Sequence, residues 1–228
     1  MSILEIKNIS KKYTRRNSRI TVLSGVDIGI EKSTFNTIEG ESGSGKSTFL
    51  GIISGLIDAD EGEVIYHKKD GSDIKINSLS ADERARLRRH DIVYMSQLQE
   101  VIPELTVSEN IRLTDVFTHE ETSGDTRLSV ILERLGLTDI RDEYPCDISG
   151  GELRRLVIAR TLYSSPEIVL ADEPTNDLDK DNREEIYRIF RDMSERGITV
   201  IVATHDKELV EAADNRFLLK DGKLSLIS

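Results

Sequence analysis

Residues 40–48 read GESGSGKST, and the interpretation of the whole chain starts from this stretch. It fits the phosphate-loop pattern G-x-x-x-x-G-K-[ST] at Gly40, Gly45, Lys46 and Ser47. The glycines let backbone N–H groups turn inward, and the helix that follows directs its positive end at the same point. We therefore expect Lys46 to reach the terminal phosphates of a nucleoside triphosphate and the Ser47 hydroxyl to bind Mg²⁺.

The composition describes an acidic, aliphatic chain. Its 228 residues carry a formal net charge of -11 and include no Trp, so aliphatic side chains must fill the core. An acidic chain is a poor candidate for binding nucleic-acid backbones, and we expect no nucleic-acid partner. The single cysteine, Cys146, excludes an internal disulfide and a cysteine-rich metal site. No apolar run approaches the roughly 18–20 residues of a membrane helix, and the N-terminus lacks a signal-peptide pattern. A soluble, cytoplasmic protein is expected.

The apolar pattern predicts an α/β fold interrupted by a helical segment. Strands are predicted at residues 3–6, 22–30, 35–38, 62–66, 74–76, 92–95, 167–171, 198–203, 216–220 and 223–227. Helices are predicted at residues 80–89, 108–113, 125–135, 151–164 and 182–196. The runs 167–171 and 198–203 are almost continuously aliphatic, which is typical of parallel strands covered on both faces. We predict one domain, with a catalytic core at about 1–97 and 166–228 and a helical subdomain at about 98–165.

Residues 167–173, EIVLADE, form an aliphatic strand that ends in two acids. In phosphate-loop enzymes the first acid, here Asp172, holds Mg²⁺ at the end of a core strand. The second acid, Glu173, is placed to orient or deprotonate an attacking water. Adjacent carboxylates at the end of a buried strand repel each other unless a cation or a donor is near. Taken alone, the motif also fits a plain strand end.

Residues 148–155, ISGGELRR, indicate a second anion site. Ser149, Gly150 and Gly151 open a helix with a hydroxyl and free N–H groups at its N-terminus. Because the chain already has a phosphate loop, this second site suggests use on the nucleotide of a neighbouring copy. By itself, an ordinary serine N-cap followed by glycines is an equal alternative.

The chain resembles the ABC-type ATPases over essentially its whole length. Five motifs occur in the order of that family: GESGSGKST, Gln97, ISGGELRR, LADEPTNDLD at 170–179 and the turn Thr204-His205-Asp206. It is most similar to the ATPases of macrolide-export and lipoprotein-release systems, which carry LADEPTGNLD. The resemblance implies a phosphate-loop α/β core with N-terminal antiparallel β strands and an inserted helical subdomain.

The same resemblance implies a role for each site residue. Tyr13 would stack on adenine, Gln97 would ligate Mg²⁺ or water and sense a membrane partner, and Asp179 would belong to a loop that contacts the second subunit. The implied ATP-binding set is Tyr13, Gly40, Glu41, Ser42, Gly43, Ser44, Gly45, Lys46, Ser47 and Thr48. The implied set acting in trans is Ser149, Gly150, Gly151 and Glu152. The implied metal set is Ser47, Gln97 and Asp172, and the implied catalytic set is Glu173 as general base with His205 and Lys46 on the γ-phosphate.

Some positions depart from the family pattern. Glu152 stands where glutamine is more usual, and Asn176-Asp177 replaces Gly-Asn. Met95-Ser96 precedes Gln97, where an aromatic residue is common. None of these departures removes a chemical group that the reaction needs, so hydrolysis is still expected while the subfamily stays open.

The resemblance implies an ATPase subunit that powers a separate membrane permease. The partners would be ATP, the permease and, with ATP bound, a second copy of the chain, on the inner face of the membrane. The substrate would be a peptide, a lipoprotein or a drug-like molecule. A signalling or mechanical complex that regulates a partner without transport fits equally well. A soluble ATPase of DNA repair or translation is disfavoured, because the chain lacks a long heptad arm, a second cassette and a basic face. A GTPase is disfavoured because no Asn-Lys-x-Asp run occurs.

Overall fold

The fold contains two β-sheets that meet around the phosphate loop. The computed structural model describes residues 2–15, 18–96, 101–115, 124–176 and 178–227. The smaller sheet is antiparallel and contains β1 (Ser2–Arg15), β2 (Ser18–Glu31), β4 (Glu61–His67) and β5 (Asp73–Lys75). Its strand order is β2-β1-β4-β5.

The candidate site lies at the carboxyl ends of strands in the larger sheet. Its strands are β3 (Phe35–Glu39), β6 (Ile92–Met95), β7 (Ile168–Asp172), β8 (Thr199–Ala203), β9 (Asn215–Lys220) and β10 (Lys223–Leu226). The order is β10-β9-β3-β8-β7-β6, and the neighbours are parallel except for the β9–β10 hairpin. The carboxyl ends of β3, β7 and β8 therefore lie side by side, which is where open α/β sheets bind ligands.

Helices follow the strands and connect them. They are α1 (Lys46–Ile53), α2 (Ala81–His90), α3 (Val107–Ile111), α4 (Gly124–Arg134), α5 (Gly150–Tyr163), α6 (Lys180–Glu195) and α7 (Lys207–Glu211). Among the described residues, 3₁₀ turns occupy Ile76–Ser78 and Arg112–Thr114. Several of these helices start with a capping box, in which a hydroxyl and a glutamate satisfy each other's backbone N–H groups. These pairs are Ser80 with Glu83, Thr106 with Glu109 and Ser149 with Glu152.

Both faces of the larger sheet are buried in apolar clusters. On β8, Ile201 and Ala203 face the cluster that includes α1 and the smaller sheet. Val200 and Val202 alternate with them and face the cluster that includes α5 and α6. This confirms the prediction that the aliphatic runs are parallel strands covered on both sides. In the described residues between 101 and 163, the chain forms α3, α4 and α5 and no strand.

Strand β1 differs most from its prediction. The sequence predicted a strand only at residues 3–6, but β1 continues to Arg15 through the polar segment NISKKYTR. Backbone pairing with β2 extends to Tyr13 opposite Ile20 and beyond, and the register shifts several times along the ribbon. Hydrogen bonds between strands do not require apolar side chains, so a search for alternating hydrophobicity misses this extension.

We expect Phe190→Ala to lower the free energy of unfolding by about 3–5 kcal/mol, because it leaves a cavity in the core. Phe190 lies on α6, is fully buried, and its ring centroid is 6.2 Å from that of Phe35. Denaturant unfolding of the purified protein measures the loss. Val130→Ala on the exposed side of α4 is the control and should change stability by less than about 0.5 kcal/mol. Equal losses in the two variants would contradict this account of the core.

Candidate functional site

The phosphate loop connects β3 to α1 and requires glycine at position 45, directly before α1. Gly45 has a φ of 108°, in the region that side chains rarely adopt. A Cβ atom at Gly45 would lie 2.5 Å from Cγ1 of Val22, which reaches the loop from β2. The smaller sheet therefore packs directly against the backbone of the loop and leaves no room for a side chain there.

Lys46 places a buried positive charge at the start of α1. Its Nζ atom donates hydrogen bonds to the carbonyl oxygens of Gly40, at 2.9 Å, and Glu41, at 3.3 Å. The same atom lies 3.5 Å from Oε1 of Glu173, and the lysine side chain is only 7% exposed. The loop backbone thus holds the ammonium group where it faces both the loop and the end of β7.

Glu173, directly after β7, contacts residues that follow or end β3 and β8. Its backbone N–H donates to the carbonyl of Ala203, at the end of β8, over 2.8 Å. Its φ of 47° lies in the left-handed region, a strain of about 1–3 kcal/mol that is concentrated at functional sites. Oε2 of its carboxylate lies 3.0 Å from Nδ1 of His205. The carboxylate therefore sits between Lys46 and His205, whose charges or N–H groups complement it.

Asp172 presents an unused carboxylate oxygen. The residue is buried at the end of β7, and its Oδ2 atom accepts a hydrogen bond from the Tyr94 hydroxyl at 3.2 Å. Its Oδ1 atom is buried and has no hydrogen-bond partner among the described residues. A buried carboxylate oxygen without a partner is costly, and a hard divalent cation such as Mg²⁺ satisfies it. The donor set therefore fits this metal.

The described side chains alone do not enclose such a cation. Among the described residues there is no group of three or more His, Cys, Asp or Glu side chains that is arranged to hold a metal ion. Mg²⁺ usually keeps water and phosphate oxygens and takes only one or two carboxylates from the protein. The site accordingly fits a cation that arrives with a phosphate-bearing ligand.

An open cavity of about 650 Å³ unites these groups. It is lined by Tyr13, Val22, Gly40, Glu41, Ser42, Gly43, Gly45, Lys46, Ser47, Thr48, Asp172, Glu173, Asn176 and His205. Ser44 does not line it, because its hydroxyl oxygen is buried against the loop backbone at Gly40. Tyr13 is 40% exposed at the rim, with Nζ of Lys11 5.5 Å from the centre of its ring.

The segment at residues 149–152 lies elsewhere on the surface. Oε2 of Glu152 accepts hydrogen bonds from the Ser149 hydroxyl at 2.7 Å and from its backbone N–H at 2.8 Å. These bonds hold the pKa of the Glu152 carboxyl below its usual value. Gly151 is buried against Asn182 of α6, and a Cβ atom there would lie 2.1 Å from Oδ1 of Asn182. None of the described residues that line the cavity belongs to this segment.

The remaining predicted site residues have different outcomes. Asp179 is the N-cap of α6, and its carboxylate accepts hydrogen bonds from the backbone N–H and the side-chain amide of Asn182 at 2.9 and 2.8 Å. These two bonds lower the pKa of the Asp179 carboxyl. Gln97 lies outside the described residues, and so does Asp177.

Sequence reasoning missed two polar residues of the site. Asn176 lines the cavity, and Tyr94 hydrogen-bonds to Asp172. Asn176 was visible as part of the segment 170–179, in which only the acids were assigned roles. Tyr94 had no signal in the sequence, because its contact depends on the pairing of β6 with β7.

The part of the chain that the structure describes contains no helix with the length and apolar character needed to cross a membrane.

Comparison with known proteins identifies relatives over nearly the full chain. The ABC transporter family profile matches residues 23–176. The lipoprotein-releasing system ATP-binding protein LolD of Francisella tularensis subsp. holarctica (strain OSU18) is 34% identical over 228 residues, which cover 99% of this chain and 96% of LolD. The macrolide export ATP-binding/permease protein MacB of Pasteurella multocida (strain Pm70) is 34% identical over 97% of this chain, but the match spans only 34% of MacB.

Solved structures show the same architecture. The ATP-binding cassette MJ0796, in a dimeric post-hydrolysis state bound to ADP and Pi, has a TM-score of 0.86 and 34% identity, with 99% of both chains covered. The structure of cbiO1 from Clostridium perfringens, part of the cbiONQ complex, has a TM-score of 0.84 and 26% identity. The predicted α/β core with N-terminal antiparallel strands and a helical insertion is thereby confirmed.

We expect Gly45→Ala to weaken nucleotide binding about tenfold or more, because a side chain at this φ adds about 1–3 kcal/mol of strain and clashes with Val22. Titration with labelled ATP measures the effect, and thermal unfolding shows that the variant is folded. Gly71→Ala is the matched control, since Gly71 has a φ of 87° but open space around it. Wild-type affinity in Gly45→Ala would contradict the packing described for the loop.

Proposed function

Because the chain belongs to the ATP-binding proteins of ABC transporters and is an ATPase, we propose that it powers a separate membrane permease of an export or lipoprotein-release system. The observation that carries this proposal is the cavity at the carboxyl ends of β3, β7 and β8, which unites Lys46, Asp172, Glu173 and His205. The match to nearly all of LolD and to about a third of MacB supports the role of this chain as the ATPase part of such systems.

In this proposal the triphosphate of ATP lies along residues 40–48, with Tyr13 against the base. Asp172 and Ser47 would hold Mg²⁺, together with Gln97 from outside the described residues. The Oδ1 atom of Asp172, which has no hydrogen-bond partner among the described residues, supports this assignment. A bound Mg²⁺ would supply positive charge against the triphosphate.

Glu173 acts as general base and takes a proton from the attacking water. Lys46 and His205 stabilise the negative charge that develops on the γ-phosphate. Both groups contact the Glu173 carboxylate in this structure, at 3.5 and 3.0 Å. Binding of ATP must therefore exchange these contacts for contacts to phosphate, which frees the carboxylate to accept a proton.

Two copies of the chain form the working unit. Ser149, Gly150, Gly151 and Glu152 cap the nucleotide of the other copy, and Asp179 lies in the loop that contacts it. The location of this segment away from the cavity of its own chain supports action in trans. A head-to-tail pair with twofold symmetry then contains two equal sites. The dimeric form of MJ0796 also supports this arrangement.

Different parts of the chain serve catalysis and contact with the permease. Residues 1–97 and 166–228 form the catalytic core, and residues 98–165 form a helical subdomain that carries the capping segment on α5. The permease docks beside Gln97 and this subdomain and holds the protein at the inner face of the membrane. The transported peptide, lipoprotein or drug-like molecule contacts the permease.

Reconstitution with the co-purifying membrane protein tests the transport role. Proteoliposomes of the complex should move or release a substrate when ATP is supplied, and the Lys46→Ala complex should not. A complex in which ATP hydrolysis alters only the partner's own activity, with no substrate moved, would overturn the transport proposal and leave the ATPase in place.

Glu173→Gln should retain ATP binding but slow hydrolysis by about 10²–10⁴, because the nearly isosteric amide cannot accept a proton. The ATP-bound dimer should persist, which size-exclusion chromatography with ATP detects. Glu211→Gln on the exposed side of α7 removes the same charge away from the cavity and should hydrolyse ATP normally. Near wild-type turnover in Glu173→Gln would refute its assignment as the base.

A mixing experiment tests capping in trans. Ser149→Arg and Lys46→Ala homodimers should both be inactive, because an arginine at the N-terminus of α5 blocks closure and the loss of Lys46 removes the phosphate-binding cation. In the mixed dimer one site carries both changes and the other carries neither. Hydrolysis should therefore recover in the mixture, with heterodimer formation measured alongside. A Ser149→Arg homodimer that forms with ATP and hydrolyses it like the wild type would contradict the trans arrangement.

A further inference from the structure

One largely buried carboxylate, that of Asp206, links the turn after Glu173, the loop that carries His205 and helix α6. Asp206 comes directly after His205, and its side chain is only 11% exposed. Its Oδ2 atom accepts a hydrogen bond from the Tyr187 hydroxyl and another, at 3.4 Å, from the Thr175 hydroxyl. The same oxygen lies 3.5 Å from Nη1 of Arg183. Its Oδ1 atom accepts the backbone N–H of Glu208 at 3.1 Å and so caps α7.

These contacts join three separate segments. Thr175 belongs to the turn after Glu173, and Arg183 and Tyr187 lie one turn apart on the same face of α6. The N-cap of α6 is Asp179. The Asp206 carboxylate therefore connects the loop that carries His205 with the turn that carries Glu173 and with the start of α6.

The network keeps Asp206 charged. Burial raises the pKa of its carboxyl, but the hydrogen bonds from Tyr187 and from backbone N–H groups and the charge of Arg183 outweigh burial, and the pKa lies below its usual value. Burial and the neighbouring Asp206 raise the pKa of the Tyr187 hydroxyl, so the tyrosine remains a donor.

His205 depends on such an anchor. Its side chain is 68% exposed, and its contact with Glu173, at 3.0 Å, is the hydrogen bond that orients the ring. An exposed imidazole is not held by packing, so the position of its backbone decides whether Nδ1 meets the Glu173 carboxylate. The next residue, Asp206, holds that backbone in two ways. Its carboxylate makes the contacts described above, and its backbone N–H donates to the Thr204 hydroxyl at 3.0 Å.

We propose that Asp206 is a positioning residue for ATP hydrolysis, which keeps His205 and the turn after Glu173 aligned with the start of α6. This inference rests on the proposed function, in which His205 contacts the γ-phosphate and Asp179 lies at the second subunit. Movement of α6 when two copies close is then transmitted to His205 through Arg183, Tyr187 and Asp206. ATP binding to the phosphate loop does not require this link.

The chain offers a matched control eight residues further on. Asp214 also accepts a backbone N–H, from Phe35 at 2.7 Å, and pairs with an arginine of α6, Arg191, at 2.6 Å. Arg191 lies eight residues after Arg183 on the same helix. Asp214 sits at the amino end of β3, at the opposite edge of the sheet from the cavity. The two carboxylates thus have similar structural contacts, but only Asp206 is next to the reacting groups.

The test compares Asp206→Asn with Asp214→Asn in the full chain. Asparagine keeps the shape and retains an oxygen for one N–H, but it loses the charge that pairs with arginine. We expect kcat of Asp206→Asn to fall about 10- to 100-fold, as for a small displacement of a catalytic group. The Kd for labelled ATP should stay within about twofold, because the phosphate loop is untouched. Asp214→Asn should keep the wild-type kcat, whatever its loss in Tm.

Tyr187→Phe is a milder second variant, and it tests the positioning role of Asp206 if Asp206→Asn does not fold. It removes one hydrogen bond to Asp206 and should lower kcat in the same direction by a smaller factor, with ATP binding again unchanged. Wild-type kcat in the folded Asp206→Asn, or in Tyr187→Phe when the first variant is unfolded, would overturn the inference. Equal losses of kcat in Asp206→Asn and Asp214→Asn would also overturn it. A wild-type chain without ATPase activity would instead refute the proposed function.

Discussion

The candidate site depends on the backbone register of three parallel strands. Ala203 at the end of β8 pairs with Ile38 of β3 on one side and with Asp172 of β7 on the other. This register brings the phosphate loop after β3, the acids at the end of β7 and His205 after β8 to one edge of the sheet. The aliphatic faces of these strands are buried in two clusters, and a shift of one residue would turn every side chain to the opposite face. Core packing thus determines the geometry of the chemical groups.

At that edge, the charged side chains contact one another, and a phosphate ligand can replace one partner in these contacts. Glu173 contacts Lys46 and His205, while one oxygen of Asp172 has no hydrogen-bond partner in the part of the chain that the structure describes. The strained backbone of Glu173 is held by its hydrogen bond to Ala203. The stability of the sheet therefore maintains an unfavourable local conformation beside a buried carboxylate, a pattern typical of functional sites.

Much of the fold was predictable because its signals are local. The segment 40–48 contains its own turn chemistry, and the runs 167–171 and 198–203 have the continuous apolar character of buried parallel strands. The polar half of β1 was not predictable, since its pairing with β2 rests on backbone hydrogen bonds. Tyr94 was missed for a related reason, because only the pairing of β6 with β7 brings its hydroxyl to Asp172.

By itself, the sequence determined the family, the α/β class and most of the residues that line the cavity, because short motifs specify turns, strand ends and charged groups within a few residues. Only the tertiary structure decided which of these groups meet. It places Glu173 against Lys46 and His205, leaves residues 149–152 away from the cavity of their own chain, and joins Thr175, Arg183 and Tyr187 at Asp206. These contacts link residues far apart in the chain, so they depend on strand order and helix packing, which no local pattern contains.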